Sequence, residues 1–299
     1  MDVASLGFRT DLMLRRLAGA DIVDRGEYLV VRTPSNPAFW WGNFLLFPAP
    51  AATGAAARWL TVFAAEFPQA GHRAIGVDGT SGDYGDPGEF AVLGLTAEVN
   101  TVLTAQRLRE PPARRPGSDG AADAACRPLA GDSDWAQADT LTFACDDRSD
   151  DPEHRLFLTA RQREARALCE AGHGAWFGAF VDGQMRSGCG IFTDAAGLAR
   201  FQNVETHPAY RRRGLASQVV YQAGRYAVQE LGATTLVIVA DPADVAIGIY
   251  RSLGFADAER QVQLQREAAT PGSRPATPWT ARAASADGPG RAPSTKPFQ

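Results

Sequence analysis

The sequence predicts an α/β protein with a mixed sheet, built from two units of one fold. Its 299 residues exceed what a single compact domain usually needs. Residues 126–267 alternate strand and helix patterns, which is typical of strands covered by helices. Residues 43–105 also align without a gap onto residues 203–265, and such self-similarity indicates a repeated unit.

The second unit can be followed element by element. Asp182-Gly183 is a turn signal that predicts a strand pair over residues 175–192, and a further strand follows over 198–207. Apolar residues at helical spacing predict a helix over 214–231, with Gly232 as its stop. A short apolar run predicts a buried strand over 234–240. A helix over 244–253 then ends at Gly254, before the closing strands.

The internal repeat is clearest at turns and helix ends. The recurring residues are Pro48-Ala49 with Pro208-Ala209, Gly54 with Gly214, and Leu93-Gly94 with Leu253-Gly254. In one loop the copies differ in charge, because PAPAATGAAA in the first stands where the second has PAYRRRGLAS. We therefore predict a first unit over 1–110 that lacks the arginines and a second unit over 126–267.

Two segments have too few large apolar residues to build a core. Residues 111–125 are predicted to be a linker. Residues 268–299, rich in Pro, Ala, Ser, Thr and Gly, are predicted to be a disordered tail, because burial there cannot offset the entropy of ordering.

Composition excludes several classes of function. A net charge of −4 argues against a nucleic-acid partner. The cysteines form no C-x-x-C pair, so we expect neither a metal site nor a disulfide framework. The sequence has no apolar run of membrane-spanning length, and its N-terminus lacks signal-peptide features. We expect a cytoplasmic protein without a membrane partner.

The chemistry is concentrated where a strand enters the helix at Gly214. The first N–H groups of a helix have no internal partner and the helix dipole is positive there, so this end binds anions. Glycine lets a ligand approach the backbone closely, and adjacent guanidinium groups add charge-assisted hydrogen bonds. We therefore predict an anion site at Arg211, Arg212, Arg213 and Gly214; the alternative is an ordinary solvated charge cluster.

These residues resemble a known family. The pattern R-x-x-G-x-A at Arg211, Gly214 and Ala216, preceded by THPAY, is similar to the acyl-CoA pyrophosphate loop of the GNAT N-acetyltransferase superfamily. The segment AIGIYRSLGF at 246–255 resembles that family's A-x-x-x-Y-x-x-x-G-F pattern, and Arg127-Pro128-Leu129 resembles its opening strand. The resemblance is specific over residues 200–256.

The resemblance implies a tandem form of the GNAT fold with a degenerate N-terminal copy. The implied activity is transfer of an acetyl group from acetyl-CoA, the cosubstrate, to a primary amine of a small molecule or peptide. The backbone of Val204 and Thr206 would bind the thioester, and Tyr250 would protonate the leaving sulfur. The pyrophosphate would be held by Arg211, Arg212, Arg213, Gly214, Leu215, Ala216 and Ser217.

A general base is needed because an alkylamine is almost fully protonated at neutral pH. Glu205 is a candidate, since strand alternation places it on the face opposite to Val204 and Thr206. It could instead pair with a loop arginine or cap a neighbouring segment. His207 is a second candidate, although a hydrogen bond in the turn at Pro208 would equally explain it.

Three alternatives remain open at this stage. Ala243 and Asp244 stand where the family often carries an Asn that contacts the cofactor. Trp40 and Trp41 are predicted to begin an aromatic strand, which could belong to the core or line the acceptor site. Finally, a non-catalytic acyl-CoA-binding sensor or interaction module would preserve the loop without needing the chemistry.

Overall fold

The computed structural model describes residues 1–37, 39–112 and 124–266, so most of the predicted linker and the predicted tail lie outside the described residues. The strands are β1 (Asp21–Asp24), β2 (Leu29–Arg32), β3 (Phe44–Phe47), β4 (Arg73–Val77), β5 (Thr96–Ala105), β6 (Ala125–Pro128), β7 (Gly174–Val181), β8 (Gln184–Thr193), β9 (Leu198–Thr206), β10 (Thr235–Ala240) and β11 (Ala256–Arg266). The helices are α1 (Leu6–Leu17), α2 (Ala56–Glu66), α3 (Pro87–Val92), α4 (Gly131–Cys145), α5 (Pro152–Glu170), α6 (Leu215–Gln229) and α7 (Ala246–Ser252), with 3-10 turns at Trp40–Gly42 and Pro208–Tyr210.

The strands form one mixed sheet of eleven strands, which confirms the predicted α/β class. Their order is β1-β2-β3-β4-β11-β5-β10-β9-β8-β7-β6. The parallel pairs are β3 with β4 and β9 with β10, and the other pairs are antiparallel. No helix among the described residues is long and apolar enough to cross a membrane.

The last strand of each predicted unit pairs with the other unit. Strand β5 lies between β11 and β10, and β11 lies between β4 and β5. Each of these two strands thus takes both neighbours from the opposite half of the sequence. The sheet is continuous as a result, and the hydrophobic core of the N-terminal half includes Val262 and Leu264 of β11.

The repeat seen in the sequence has a counterpart in the backbone. Gly54 precedes α2 with φ of 80°, and Gly214 precedes α6 with φ of 77°. Gly94 and Gly254, which follow α3 and α7, also have positive φ values of 72° and 100°. Glycine is favoured in this left-handed region because it has no Cβ. Gly54 and Gly214 therefore precede helices at matching places in the two halves, and Gly94 and Gly254 follow helices at matching places.

Side-chain alternation on β7 and β8 separates the two faces of the C-terminal half. Phe177 and Ile191 share a core cluster with residues of α6 and α7. Their neighbours Trp176 and Phe192 pack in a cluster that includes residues of α1, α4 and α5. We call the side of the sheet that α6 and α7 cover the α6 face, and the side that α1, α4 and α5 cover the α4 face. Glu205 lies on the α4 face, where it contacts Thr142 of α4.

The prediction that an aromatic strand begins at Trp40 and Trp41 is wrong. These residues form a 3-10 turn, and β3 begins only at Phe44. The cause is a set of hydrogen bonds that fold the preceding loop: the Asn43 side-chain amide donates to the carbonyl groups of Asn36 and Phe39, and its oxygen accepts from Thr33 N–H. A local network of this kind outweighs the intrinsic strand preference of aromatic residues.

Exchange of the two strands should make the halves unfold together. Leu264 is fully buried in the N-terminal core, so Leu264→Ala should lower the free energy of unfolding by about 2–5 kcal/mol. Urea unfolding followed by circular dichroism should show a single transition in both proteins. Val92→Ala is the control, since Val92 is 88% exposed and should change stability little. Two separate transitions would contradict the shared sheet.

Candidate active site

A cleft opens where β9 and β10 separate. The two parallel strands pair from Leu198 and Thr235 up to Arg200 and Val237, although β9 continues to Thr206 and β10 to Ala240. Their last residues therefore expose facing backbone edges with no partner in the neighbouring strand. We call this opening the β9–β10 cleft. Its closed end lies at the Arg200–Val237 pair.

The corresponding strands of the N-terminal half do not separate. Strands β3 and β4 pair through their last residues, Phe47 and Val77, and Asp78 N–H continues the pairing with the Phe47 carbonyl at 2.8 Å. The Phe47 ring also stacks on Trp59 of α2 with centroids 4.1 Å apart. Of these two described strand pairs, β9–β10 thus separates at its end and β3–β4 does not.

A β-bulge shapes one wall of the cleft. Gly188 faces Glu205 and Gly190 faces Gln202, so Cys189 alone faces both Asn203 and Val204. Asn203 has a left-handed φ of 47°, which Asn tolerates better than most residues. The bulge bends β9 away from a regular ladder. The sequence alone did not predict this bulge, whose one local signal is the identity of Asn203 itself.

The helix that follows β9 has free donors at its start. Gly214 is the N-terminal cap of α6, and the first intrahelical bond within the helix runs from Gln218 N–H to the Gly214 carbonyl at 3.2 Å. The N–H groups of Leu215, Ala216 and Ser217 thus precede the internal ladder. Leu215 and Ala216 are buried, and their side chains pack into the core.

Arginine side chains surround this helix start. Arg211 donates from Nε to the Thr206 carbonyl at 3.4 Å, and Arg213 lies over the Tyr210 ring at 4.7 Å. Arg212 has a left-handed φ of 62°. Arg186 of β8, which the sequence alone did not indicate, also lies here, with its guanidinium over the same Tyr210 ring at 4.5 Å. No salt bridge between described residues involves Arg186, Arg211 or Arg213, so their charge is available to an anion.

Glu205 lies on the α4 face, opposite to the buried Val204. Its Oε2 accepts a hydrogen bond from Thr142 Oγ1 of α4 at 2.8 Å, and its Oε1 accepts from Asn203 Nδ2 at 3.0 Å. Burial, with a smaller contribution from the Asp146 carboxylate, raises the pKa of Glu205 to about 7, although the Thr142 bond opposes the rise. A carboxyl group with this pKa can accept a proton near neutral pH.

His207 occupies the turn after β9. Its Nδ1 accepts a hydrogen bond from Ala209 N–H at 3.2 Å, which caps the 3-10 turn. Burial and the positive charges of Arg186 and Arg211 lower the pKa of His207. This bond therefore supports the alternative that His207 makes a structural hydrogen bond in the turn at Pro208.

Tyr250 of α7 is completely buried in the core cluster that also contains Val204 of β9 and Ala240 of β10. Its hydroxyl group has no hydrogen-bond partner among the described residues. Burial, together with the nearby Asp244 and Cys189, raises the pKa of Tyr250 well above its usual value. Buried hydroxyl groups are normally paired, so this neutral phenol is a donor without an acceptor among the described residues.

The residues at the position of the family's Asn have a structural role here. Asp244 Oδ1 accepts a hydrogen bond from Ala246 N–H at 2.9 Å, at the start of α7. Ala243 N–H in turn donates to Asp241 Oδ1 at 2.8 Å. Among the described residues, no group of three or more His, Cys, Asp or Glu side chains is arranged to hold a metal ion.

The geometry fits a ligand that has a diphosphate at one end and a thioester at the other. The α6 amides and the arginines could supply anion contacts at the open end of the cleft. The separated strands could offer backbone groups to an extended amide-bearing arm, and Tyr250, whose hydroxyl is unpaired among the described residues, belongs to the core cluster that contains Val204 and Ala240. Acyl-CoA has these chemical groups in this order.

Comparisons with known proteins agree with this geometry. Residues 138–255 match the model described as "Acetyltransferase (GNAT) family". No curated protein matches the sequence. Among solved structures, a functionally unknown conserved protein from Staphylococcus epidermidis has a TM-score of 0.64 at 12% identity, covering 84% of this chain and 95% of its own.

Two further solved structures are similar in fold. A GCN5-related N-acetyltransferase from Kribbella flavida has a TM-score of 0.60 at 17% identity, covering 89% of this chain and 95% of its own. A tandem GNAT protein from the clavulanic acid biosynthesis pathway has a TM-score of 0.50 at 16% identity, covering 81% of this chain and 83% of its own. The loop and the cleft thus lie within residues 138–255, the segment that matches the GNAT family model.

Proposed function

We propose that this protein is an acetyl-CoA-dependent N-acyltransferase that transfers an acetyl group directly to the primary amine of a small molecule or peptide. The observation that carries the proposal is the β9–β10 cleft, which opens beside the arginine-lined start of α6. Bound acetyl-CoA supplies an activated acetyl group. The residues of the chain must bind it, remove a proton from the amine and protonate the sulfur.

The first task is binding. Arg211, Arg213 and Arg186 provide positive charge, and the backbone N–H groups of Leu215, Ala216 and Ser217 provide directed donors. Arg212 and Gly214 complete the loop. Along the cleft, the exposed backbone near Val204 and Thr206 binds the arm and offers a donor to the negative charge that develops on the carbonyl oxygen.

The second task is proton transfer. As the amine nitrogen forms its bond to the acetyl carbon, Glu205 accepts the proton that this nitrogen must lose. As the carbon–sulfur bond breaks, Tyr250 donates its phenolic proton to the departing sulfur. The products are an amide and a free thiol. Solvent then reprotonates Tyr250 and removes the proton from Glu205.

We propose residues 126–267 as the catalytic unit and residues 1–110 as a degenerate copy. Internal contacts in the N-terminal half support this. Gly54 N–H, which aligns with Gly214, donates to the Glu89 carboxylate at 2.6 Å, so a side chain occupies the place of an anion. Ala51 N–H donates to the Tyr84 carbonyl at 3.2 Å, which holds residues of the 81–89 segment over the same loop.

The activity itself is tested by incubating the protein with acetyl-CoA and a panel of amines while free thiol is measured. We expect thiol release that depends on the amine. If acetyl-CoA raises the melting temperature and no amine yields thiol, the protein is instead a non-catalytic acyl-CoA-binding module.

Tyr250→Phe should reduce kcat by about 100-fold while the affinity for acetyl-CoA stays nearly unchanged. The hydroxyl is unpaired in the structure, so its removal breaks no hydrogen bond and should not lower the melting temperature. Tyr226→Phe, also in an aromatic pair of the same core, is the matched control and should keep full activity. Equal kcat in Tyr250→Phe and the wild type would remove Tyr250 from the mechanism.

A further inference from the structure

The bulge in β9 determines which face of the sheet Glu205 occupies. Phe201 and Val204 both belong to the core cluster of the α6 face, although they are an odd number of residues apart. Strict alternation from Phe201 would place Glu205 on that same face. The bulge, in which Cys189 alone faces both Asn203 and Val204, shifts the alternation by one residue. Glu205 therefore lies on the α4 face because of the bulge.

The bulge in turn depends on the conformation of Asn203. This residue has a left-handed φ of 47°. Asn adopts that region at a lower cost than most residues, because its short polar side chain can form local hydrogen bonds. The side chain does so here, since Asn203 Nδ2 donates to Glu205 Oε1 at 3.0 Å. One residue thus sets both the direction of Glu205 and one of its hydrogen bonds.

The other carboxylate oxygen is held by a hydrogen-bond chain with a defined direction. Gln162 Nε2 of α5 donates to Thr142 Oγ1 of α4 at 3.1 Å. The Thr142 hydroxyl has a single proton, which it donates to Glu205 Oε2 at 2.8 Å. Thr142 and Gln162 are buried. Both oxygens of Glu205 therefore accept from a neutral donor, an arrangement that favours the ionised carboxylate.

Other ionisable groups also lie near Glu205. Asp146, which follows α4, opposes the ionisation of Glu205 and is itself paired with His154 Nε2 of α5 at 3.0 Å. Cys145, the last residue of α4, interacts with both Glu205 and Arg211, and burial raises the pKa of its thiol, which is therefore neutral near pH 7. Substitutions at the bulge leave all these groups in the protein.

We infer that Asn203 is a positioning residue for the proposed base: its left-handed backbone directs Glu205 to the α4 face, and its amide holds the carboxylate as a proton acceptor. The inference rests on the proposed function and adds to it a residue that acts through Glu205. A side chain with a merely structural role in β9 would not alter the ionisation of Glu205, so the pH profile distinguishes the two roles.

Two substitutions test the role of the amide. Asn203→Gly keeps the left-handed backbone and removes the amide, whereas Asn203→Asp replaces the donor with a carboxylate of similar shape. We expect kcat at pH 7 to fall by about 10-fold in Asn203→Gly, with KM for acetyl-CoA unchanged. The inflection in the pH profile of thiol release should move to higher pH in both variants. The shift should be larger in Asn203→Asp, because a second carboxylate opposes the ionisation of Glu205.

Asp182→Gly is the matched control for these variants. Asp182 also has a left-handed φ, of 51°, but it lies in the exposed turn after β7. Its replacement should leave both kcat and the pH inflection unchanged. If folded Asn203→Gly and Asn203→Asp kept the kcat and the inflection of the wild type, the inference would be overturned.

The backbone role is tested by comparing Asn203→Ala with Asn203→Gly. Both variants lack the amide, but alanine opposes a left-handed φ and glycine does not. We therefore expect Asn203→Ala to have the lower melting temperature and the lower kcat of the two. Equal values in the two variants would contradict a requirement for the left-handed conformation.

The ionisation of Glu205 can also be followed without any activity. Carbon-13 NMR of protein labelled at the glutamate carboxyl groups gives the pKa of Glu205 directly, and the signal is assigned by its absence in Glu205→Gln. We expect a pKa of about 7 in the wild type and a higher pKa in Asn203→Asp. The same pKa in both proteins would contradict the role of the amide.

The two proposals fail in different ways. Thiol release by the wild type, without any shift of the Glu205 titration in Asn203→Asp, would leave the acetyltransferase intact and overturn only the role of Asn203. A shifted titration without thiol release from any amine would support the role of Asn203 and count against the proposed activity.

Discussion

Reversing the charge of Arg211 and Arg213 together should weaken acetyl-CoA binding by about 100-fold or more. Each arginine is expected to make a charge-assisted contact to the diphosphate, and such a contact contributes about 1.5–3 kcal/mol. Loss of both contacts, even at the lower value, corresponds to about two orders of magnitude in Kd. Calorimetric titration of the Arg211→Glu/Arg213→Glu variant with acetyl-CoA measures this directly.

Two control variants separate local binding from general effects. Arg225→Glu changes charge at an exposed position farther along α6 and should leave Kd nearly unchanged. Gly214→Val strains a residue with φ of 77° and should also weaken binding, whereas Gly54→Val imposes the same strain at φ of 80° in the other half. If the Gly54 variant lost as much affinity as the Gly214 variant, or if charge reversal had no effect, the proposed coenzyme site would be wrong.

Glu205→Gln should lower kcat/KM by about 100- to 1000-fold, because it removes the proposed proton acceptor and keeps the side-chain shape. The wild type should also show a distinctive pH profile. Since the pKa of Glu205 is raised to about 7, the carboxylate forms as pH rises through this value. Activity should therefore be low at pH 5, increase through neutral pH and then level off with respect to this group. The variant should lack this inflection.

Thr142 offers a further test of the same assignment. Its hydroxyl donates to Glu205 and lowers the pKa of that carboxyl, so Thr142→Val should move the inflection to higher pH while retaining activity at alkaline pH. Glu230→Gln, at an exposed position after α6, should leave the profile unchanged. An inflection near pH 7 that persists in Glu205→Gln would show that another group is the base.

Burial of Glu205 also connects pH with stability. Because folding raises the pKa of this carboxyl group, its protonated form contributes to the stability of the folded state. That stabilisation is fully present below the unfolded pKa and is lost as pH rises through about 7. The neutral amide that the Glu205→Gln variant carries at this position has no such dependence. The wild type should therefore lose stability relative to Glu205→Gln between pH 5 and pH 8, as thermal unfolding would show.

The loop at Arg211–Gly214 could be predicted because its information is contiguous. A charge run, a glycine and an amphipathic helix follow one another, and local geometry suffices to place amides beside arginines. Arg186 could not be found in this way. It is far from the loop in sequence, and only the pairing of β8 with β9 brings it over Tyr210.

Some elements had no decisive local signal. Helices α4 and α5 carry Thr142 and Gln162, which position Glu205 through successive hydrogen bonds of 2.8 and 3.1 Å. Neither helix was predicted from the sequence. Their contacts to Glu205 depend on how both helices pack across the sheet, which residue periodicity in one segment cannot specify.

The sequence by itself determined the mixed α/β class, and it led to the predictions of a repeated unit, of a coenzyme loop at Arg211–Gly214 and of Glu205 and Tyr250 as catalytic candidates. Only the tertiary structure decided that β5 and β11 exchange neighbours, that β9 separates from β10 after Arg200, and that a bulge follows at Asn203 and Val204. The physical reason is the separation along the sequence of the residues that make each contact. Caps, turns and charge clusters depend on residues adjacent in the chain, whereas strand order and buried hydrogen-bond partners depend on contacts between distant segments.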